Sequence, residues 1–119
     1  MINIKQLFRS FKFAWRGLTE VFRREQNFRI HLAITVVVML FGFYFQIKIW
    51  QWTLLILLIG LVLILEMMNT VFERLVDMYK PRLHEYVRDI KDIMSASVLV
   101  ISLVSLLIGV LIFWPYFFN

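Results

Sequence analysis

The sequence has no cysteine, two prolines and four glycines among its 119 residues. Without cysteine it forms neither disulfides nor thiolate metal sites. It also lacks a glycine-rich phosphate loop, a dinucleotide fingerprint and the protein-kinase loops, so side chains rather than backbone amides would have to hold any nucleotide. Apolar residues are plentiful instead, at 61% of the chain with a mean hydropathy of +0.79. That composition excludes an ordinary soluble domain and indicates a small integral membrane protein.

Three apolar runs occupy residues 30–47, 49–68 and 93–114. Each is close to the roughly 20 residues that a helix needs to cross a bilayer. The polar and apolar alternation of membrane β-strands is absent from them. The sequence therefore predicts an all-α membrane protein, with residues 1–119 forming a single membrane-embedded domain that has three transmembrane helices.

An amphipathic helix is predicted over about residues 4–24, ahead of the first span. Its apolar residues recur every three or four positions, and its basic residues face the other way. Such a helix lies in a membrane interface, where its basic face favours anionic lipid head groups over nucleic acid. We expect Gly17 to interrupt this helix and residues 25–29 to form a polar hinge.

The basic residues predict how the chain crosses the membrane. Seven of the 13 Lys and Arg residues precede the first span, five lie around the second connection, and Lys48 stands apart. By the positive-inside rule, the amino terminus and the second connection are cytoplasmic, whereas the carboxyl terminus lies outside the cell membrane. Trp50, Trp52, Trp114 and Tyr116 would mark the outer interface.

The two connections between the spans are predicted to differ. Residues 46–51 form a tight turn, which would make the first two spans antiparallel neighbours. The second span is expected to continue as a helix to about Tyr79, before Pro81 stops it. Residues 82–88 would then be a cytoplasmic connection, with Lys91 and Asp92 opening the third span.

A polar stripe runs along the end of the second span. On a helix, its four members fall within roughly 80° of one another and extend some 16 Å along the axis. An ionisable group inside a span costs several kcal/mol unless it is paired or hydrated, so Glu66 is the unusual member. A structural hydrogen bond between helices is the alternative explanation for it. The stripe consists of Glu66, Asn69, Glu73 and Asp77.

The residues near the stripe allow two interpretations. Glu73 and Asp77 would suit Mg²⁺, which takes one or two carboxylates and completes its shell with water and phosphate. They would equally suit a solvated helix end, paired with nearby basic residues. Lys91 would hold a phosphate or serve as an interface anchor, and a lone loop histidine such as His84 is more often solvated than a ligand. The basic partners considered are Arg74, Lys80 and Arg82.

Three segments of the chain resemble the small prokaryotic integral-membrane lipid kinases, which comprise diacylglycerol kinases and Gram-positive undecaprenol kinases. The most specific is EMMNTVFERLVD at residues 66–77. The others are SFKFAWRGL leading to EQNFRIHL, at residues 10–18 and 25–32, and KDIMSASVL at residues 91–99. The sequence of residues 27–32, NFRIHL, resembles the Gram-positive branch more closely, which favours undecaprenol as the substrate.

The resemblance implies a role for each matching residue. Glu66 would be the catalytic base, Glu25 and Glu73 would hold the divalent metal on ATP, and Asn69 and Asp77 would support them. Similar proteins are homotrimers that share sites between subunits. The implied nucleotide-binding residues are Phe13, Glu25, Glu73, Arg82, Leu83, His84, Lys91 and Asp92. The implied lipid-substrate residues are Trp15, Arg29, Glu66 and Ser95. Family members often carry Glu-Tyr-His where this chain has Arg82, Leu83 and His84.

The sequence thus favours an ATP- and Mg²⁺-dependent lipid kinase acting on a membrane-embedded hydroxyl. Undecaprenol is placed ahead of diacylglycerol, and nucleic acid is not an expected partner. A small oligomeric cation or proton pathway through Glu66 is the alternative, although residues 54–65 offer no polar continuation outward. An anchoring subunit of a larger complex would explain the amphipathic helix but would leave the carboxylates without a role.

Overall fold

A computed structural model describes residues 1–79, 82 and 84–119, without the side chain of residue 84. This part of the chain forms four helices and has no strand. The predicted all-α class is therefore confirmed. The helices are α1 (Ile4–Arg24), α2 (Gln26–Phe45), α3 (Ile49–Asp77) and α4 (His84–Phe118).

Helix α1 matches the predicted bounds but not the predicted interruption. Its first turn is capped by Asn3, whose side chain accepts a hydrogen bond from the Gln6 amide at 3.2 Å. The helix continues through Gly17, because a single glycine costs only about 1 kcal/mol in a helix interior. The expected hinge over residues 25–29 is also wrong, since Glu25 alone is extended and α2 starts at the next residue.

The apolar face of α1 has few protein neighbours. Phe8 and Trp15 are 75% and 70% exposed, and the other apolar residues of this face are exposed as well. An exposed, contiguous apolar face of this kind is typical of a surface that contacts a membrane or another protein. The described part of the chain does not itself provide that cover.

Helices α2 and α3 are joined by a turn of three residues, Gln46–Lys48, which confirms that they are antiparallel neighbours. Gln46 ends α2 in the left-handed conformation with φ 51°. The Ile47 amide then donates to the Gly42 carbonyl at 3.2 Å, which satisfies one of the carbonyls left open at the helix end. Ile49 begins α3 only four residues after α2 has ended.

Three helices, α2, α3 and α4, are long and apolar enough to cross a membrane, as predicted. Helix α2 begins four residues before its apolar run and ends two residues before the run does, α3 continues past the end of its run, and α4 extends beyond its run at both ends. The end of α3 at Asp77 lies two residues from the predicted end, but α4 begins at His84. The predicted connection over residues 82–88 and the helix start at Lys91 are therefore wrong. Lys91 lies about two turns inside α4. A charged residue can mark the edge of the membrane without marking the end of a helix.

The helices are packed together at the end of the molecule that contains the α2–α3 turn. Ile47, Leu55, Ile112 and Phe113 form a buried cluster there between α3, α4 and the turn. Gln51, which is also buried, accepts hydrogen bonds from the Lys48 amide at 2.9 Å and from the Tyr116 hydroxyl at 2.7 Å. The start of α3 is thus tied to the end of α4.

The close approach of α2 and α3 depends on Gly42. A Cβ atom at this position would lie 2.6 Å from the ring of Trp52. We therefore expect Gly42→Ala to cost about 1–3 kcal/mol of stability, because the indole or the helices would have to move. The thermal midpoint in detergent, followed by circular dichroism, should fall by several degrees.

Gly60→Ala is the matched control. A Cβ atom added to Gly60 in α3 would meet nothing within 4 Å. Its midpoint should stay unchanged or rise slightly, since alanine is the better helix former. Equal midpoints for the two variants would show that Gly42 is not required for the helix contact.

Candidate active site

A buried carboxylate, Glu66 on α3, lies within the membrane-spanning part of the molecule. It is 3% exposed. The nearest ionisable partner is His31 of α2, whose Nδ1 atom lies 3.5 Å from Glu66 Oε1. That distance permits an ion pair, but the two groups do not meet the geometry of a hydrogen bond, and His31 Nδ1 has no other partner among the described residues. His31 is therefore close enough to act electrostatically on Glu66, although no hydrogen bond joins the two side chains.

Two further carboxylates, Glu25 and Glu73, act electrostatically on Glu66. Glu25 occupies the single extended residue between α1 and α2, and its side chain caps neither helix. Glu73 lies two turns along α3 from Glu66. Both are half-buried, and within the described residues neither forms an ion pair. The fold therefore places Glu25, from the α1–α2 junction, within electrostatic reach of Glu66, which shares α3 with Glu73, and so groups three carboxylates. We call them the carboxylate cluster.

The donor set suits a hard cation that arrives with other ligands. No three His, Cys, Asp or Glu side chains in the described ranges are close enough to hold a metal by themselves. Mg²⁺ does not require such a cage, because it is commonly bound by one or two carboxylates together with water and substrate phosphates. Glu25 and Glu73 fit that pattern.

Asp77 and Lys91 connect α3 with α4. The Lys91 Nζ atom lies 2.6 Å from Asp77 Oδ1. Of the basic partners that the sequence suggested for Asp77, Lys80 lies outside the described residues, and Arg74 pairs with Glu20 of α1 at 3.6 Å instead. The Asp77–Lys91 pair was not predicted, because residues 14 positions apart on two helices give no periodic signal.

Asn69 lies between Glu66 and Glu73 along α3. It is half-buried, and its Oδ1 atom has no hydrogen-bond partner in the described part of the molecule. The neighbouring Thr70 hydroxyl is already used, since it donates to the Glu66 carbonyl at 3.2 Å. Asn69 is thus the polar side chain of the stripe whose acceptor is still available.

Arg29 connects the start of α2 to the end of α1, across the junction that contains Glu25. One of its guanidinium nitrogens donates to the carbonyls of Phe22 and Arg23, at 2.8 Å each. These carbonyls belong to the last turn of α1, so Arg29 of α2 satisfies a helix end with a positive charge. The sequence suggested a contact with the lipid substrate for Arg29, and the structure gives its side chain this helix-end contact.

Five of the remaining predicted residues are exposed, and no described hydrogen bond or ion pair joins them to the carboxylate cluster. Phe13 is exposed, and the guanidinium carbon of Arg16 lies 5.6 Å from the centre of the Phe13 ring. The other four are exposed and form no hydrogen bond or ion pair with the cluster in the described part of the chain; they are Trp15, Arg82, Asp92 and Ser95. Leu83 and the side chain of His84 lie outside the described residues.

A groove of about 590 Å³ runs between α2, α3 and α4. Its lining is mainly aliphatic and aromatic. His31 lies at one end, and Trp114, Phe117 and Phe118 belong to the other part of the lining. The Ser102 and Ser105 hydroxyls of α4 are buried without a described partner. Neither the groove nor the contact of His31 with Glu66 was predicted, because uniformly apolar helices do not reveal which faces meet. The signal available in the sequence was the segment EQNFRIHL, which resembles the lipid kinases and contains His31 six residues after Glu25.

The fold and the site together define a class: a small helical membrane protein with an acidic site at one end of its spans. Residues 12–113 match the prokaryotic diacylglycerol kinase family, and the chain belongs to that family.

Three relatives illustrate the similarity. Undecaprenol kinase from Bacillus subtilis (strain 168) is 37% identical over 113 residues, which cover 95% of this chain and 92% of the relative. Diacylglycerol kinase from Synechocystis sp. is 31% identical over 84% of this chain and 58% of its own length. Diacylglycerol kinase from Escherichia coli (strain K12) is 25% identical over 88% of this chain and 86% of its own length. These relatives give no support to an ion pathway.

The contact made by Arg29 leads to a prediction about the α1–α2 junction. We expect Arg29→Met to lower the free energy of local opening at the junction by roughly 1 kcal/mol. The effect is small because the charged hydrogen bonds of Arg29 are exposed to solvent. The Glu25 amide, which donates to the Val21 carbonyl at 2.9 Å, should then exchange its hydrogen about fivefold faster.

Arg23→Met is the matched control, because it removes a charge at the same junction from a side chain without a described partner. Its exchange rate at Glu25 should equal that of the unmodified protein. Equal rates in both variants would contradict the role given to Arg29.

Proposed function

We propose that this protein is an ATP- and Mg²⁺-dependent lipid kinase that phosphorylates the hydroxyl of a membrane lipid. The observation that carries the proposal is the position of Glu66, a buried carboxylate that lies 3.5 Å from His31, a residue of the apolar groove, and within electrostatic reach of two further carboxylates. The groove suits a lipid chain, and the carboxylates suit a metal–nucleotide complex. Undecaprenol is the preferred substrate, because the relative with 37% identity is an undecaprenol kinase.

The depth of the carboxylates separates the two substrates. Glu66 and Glu73 are seven residues apart on α3, which is about 10 Å along the helix axis. A lipid hydroxyl reaches Glu66 from within the membrane, whereas ATP reaches Glu73 from the water. The reacting oxygen and the γ-phosphorus would meet between these two levels.

Glu66 acts as the general base in the proposed reaction. It accepts the proton of the lipid hydroxyl while that oxygen forms a bond to the γ-phosphorus of ATP. The bond from this phosphorus to the β,γ-bridging oxygen breaks, and its electron pair leaves with ADP. Glu25 and Glu73 would hold Mg²⁺, which when bound offsets the negative charge of the phosphates.

Other residues would bind and orient the substrates. Lys91 lies next to Asp77 and would contact the phosphates. Asn69, with its available acceptor, and Asp77 support the cluster. The remaining nucleotide contacts are assigned to Phe13, Arg82, Leu83, His84 and Asp92. The remaining lipid contacts are assigned to Trp15, Arg29 and Ser95.

We also propose a homotrimer whose sites are shared between subunits. The exposure of Phe13, Trp15, Asp92 and Ser95 supports this arrangement, because a neighbouring chain would bring such residues to a second cluster. In the proposed topology, the amino terminus faces the cytoplasm and the carboxyl terminus faces outward from the cell membrane. Helix α1 would then lie in the cytoplasmic interface with its exposed apolar face in the lipid.

Purified protein should transfer the γ-phosphoryl group of labelled ATP to a lipid alcohol in mixed micelles. We expect a higher kcat/KM with undecaprenol than with diacylglycerol, and no transfer after EDTA removes Mg²⁺. Thin-layer separation of labelled lipids gives the measurement. If neither alcohol is labelled while the protein remains folded and Mg²⁺ is present, the kinase proposal fails.

The role of Glu66 predicts a loss of turnover in Glu66→Gln. The amide is similar in size but accepts no proton, so kcat should fall by about 10²- to 10⁴-fold. ATP binding should persist because Glu25 and Glu73 are unchanged. Glu85→Gln, in the exposed first turn of α4, is the control and should keep full activity. A Glu66→Gln variant with ordinary kcat would exclude Glu66 as the base.

A further inference from the structure

His31 contacts two parts of the site at once. Its Nδ1 atom lies 3.5 Å from Glu66 Oε1, and its side chain also lines the groove between α2, α3 and α4. The imidazole is 20% exposed, whereas the Glu66 carboxylate is 4% exposed. A lipid hydroxyl that approaches Glu66 along the groove would therefore pass next to this ring.

The Nδ1 atom of His31 is buried and has no hydrogen-bond partner in the described part of the chain. A buried polar atom without a partner is costly, so such an atom usually has a role or gains a partner in another state. The only described ionisable group within ion-pair distance is Glu66. Catalytic hydrogen bonds are often long before substrate binds and shorten in the reactive complex.

The charges around Glu66 make this contact important. Glu25 and Glu73 are the described carboxylates that act on Glu66, and both repel its negative charge. His31 acts in the opposite direction. Thr70 does not contribute to holding the carboxylate, because its hydroxyl donates to the Glu66 backbone carbonyl. Among the described side chains, the imidazole is thus the group placed to orient this carboxylate.

We propose that His31 is a positioning residue for the Glu66 carboxylate. Its Nδ1–H group holds Oε1, so that Oε2 faces the groove and takes the proton of the lipid hydroxyl. The bonds that form and break are those of the kinase reaction, and His31 keeps its own proton throughout. This inference rests on the proposed function, to which it adds the group that orients the base.

Three substitutions distinguish positioning from packing. His31→Leu removes the donor while keeping an apolar side chain of moderate size. His31→Asn keeps an N–H group near the position of Nδ1, whereas His31→Gln places its amide closer to the position of Nε2. Each variant is purified as the full chain, and its rate is normalised to the fraction that remains folded and monodisperse.

The expected result is a kcat for His31→Leu that is about 10- to 100-fold below the unmodified value, because a misplaced base is a poor base. The KM for ATP should change by less than about twofold, since the nucleotide ligands are elsewhere. His31→Asn should recover most of the lost kcat, and His31→Gln should not. Equal rates for the Leu and Asn variants, or a loss confined to the KM for ATP, would overturn the proposal.

A double-mutant cycle tests whether His31 acts through Glu66. If it does, adding His31→Leu to Glu66→Gln should leave the small residual rate unchanged, because the group being positioned is already absent. A further 10-fold loss in the double variant would show an independent role and overturn the proposal. Glu85→Gln combined with His31→Leu is the control pair, and its effects should simply add.

Nitrogen-15 NMR of labelled imidazoles supplies a readout that does not need turnover. The chain has two histidines, so His31→Asn identifies the His31 signals by their loss. Glu66→Gln should shift the Nδ1 signal of His31, and Glu85→Gln should not. If Glu66→Gln does not shift the Nδ1 signal, His31 does not contact Glu66 and the proposal is wrong. Loss of all lipid phosphorylation in the unmodified protein would instead contradict the proposed function, whatever the NMR result.

Discussion

The structure depends on the burial of one carboxylate in an apolar helix. Placing Glu66 within a span costs several kcal/mol unless nearby groups offset it. The fold offsets part of this cost with His31 but also places Glu25 and Glu73 within electrostatic reach. Three carboxylates and one imidazole are not a balanced set. A cation that arrives with its own anionic ligand is the natural complement, and a metal–nucleotide complex is such a species.

The two ends of the molecule have different tasks, and their contacts differ accordingly. At the end that contains the α2–α3 turn, Gln51 binds Tyr116 and the Trp52 ring lies against Gly42. These contacts are neutral and closely packed, and they hold the three long helices at fixed distances. At the other end, charged contacts also connect the helices, as in the pairs of Glu20 with Arg74 and of Asp77 with Lys91. The groove runs between the packed end and His31.

Much of this could be predicted from the sequence, because membrane burial leaves long apolar runs and amphipathic periodicity leaves a clear pattern. The bounds of α1, the short α2–α3 turn and the shared stripe of Glu66 and Glu73 all follow from such patterns. The start of α4 did not, because hydropathy reports depth in the membrane and not where a helix begins. The contacts of His31 and Lys91 were missed for a different reason: each joins two helices, and a single sequence does not indicate which faces of those helices meet.

The strength of each contact suggests which part of the site moves. The Asp77 side chain is 50% exposed and that of Lys91 is 27% exposed, so their pair resembles a surface ion pair that contributes about 1 kcal/mol or less. A phosphate group could displace Asp77 from Lys91 at little cost, because the lysine exchanges one anion for another. Glu66 has no comparable freedom, since withdrawing His31 would leave a buried carboxylate facing two others. The exposed contact of Asp77 with Lys91 can therefore rearrange at lower cost than the buried contact of His31 with Glu66.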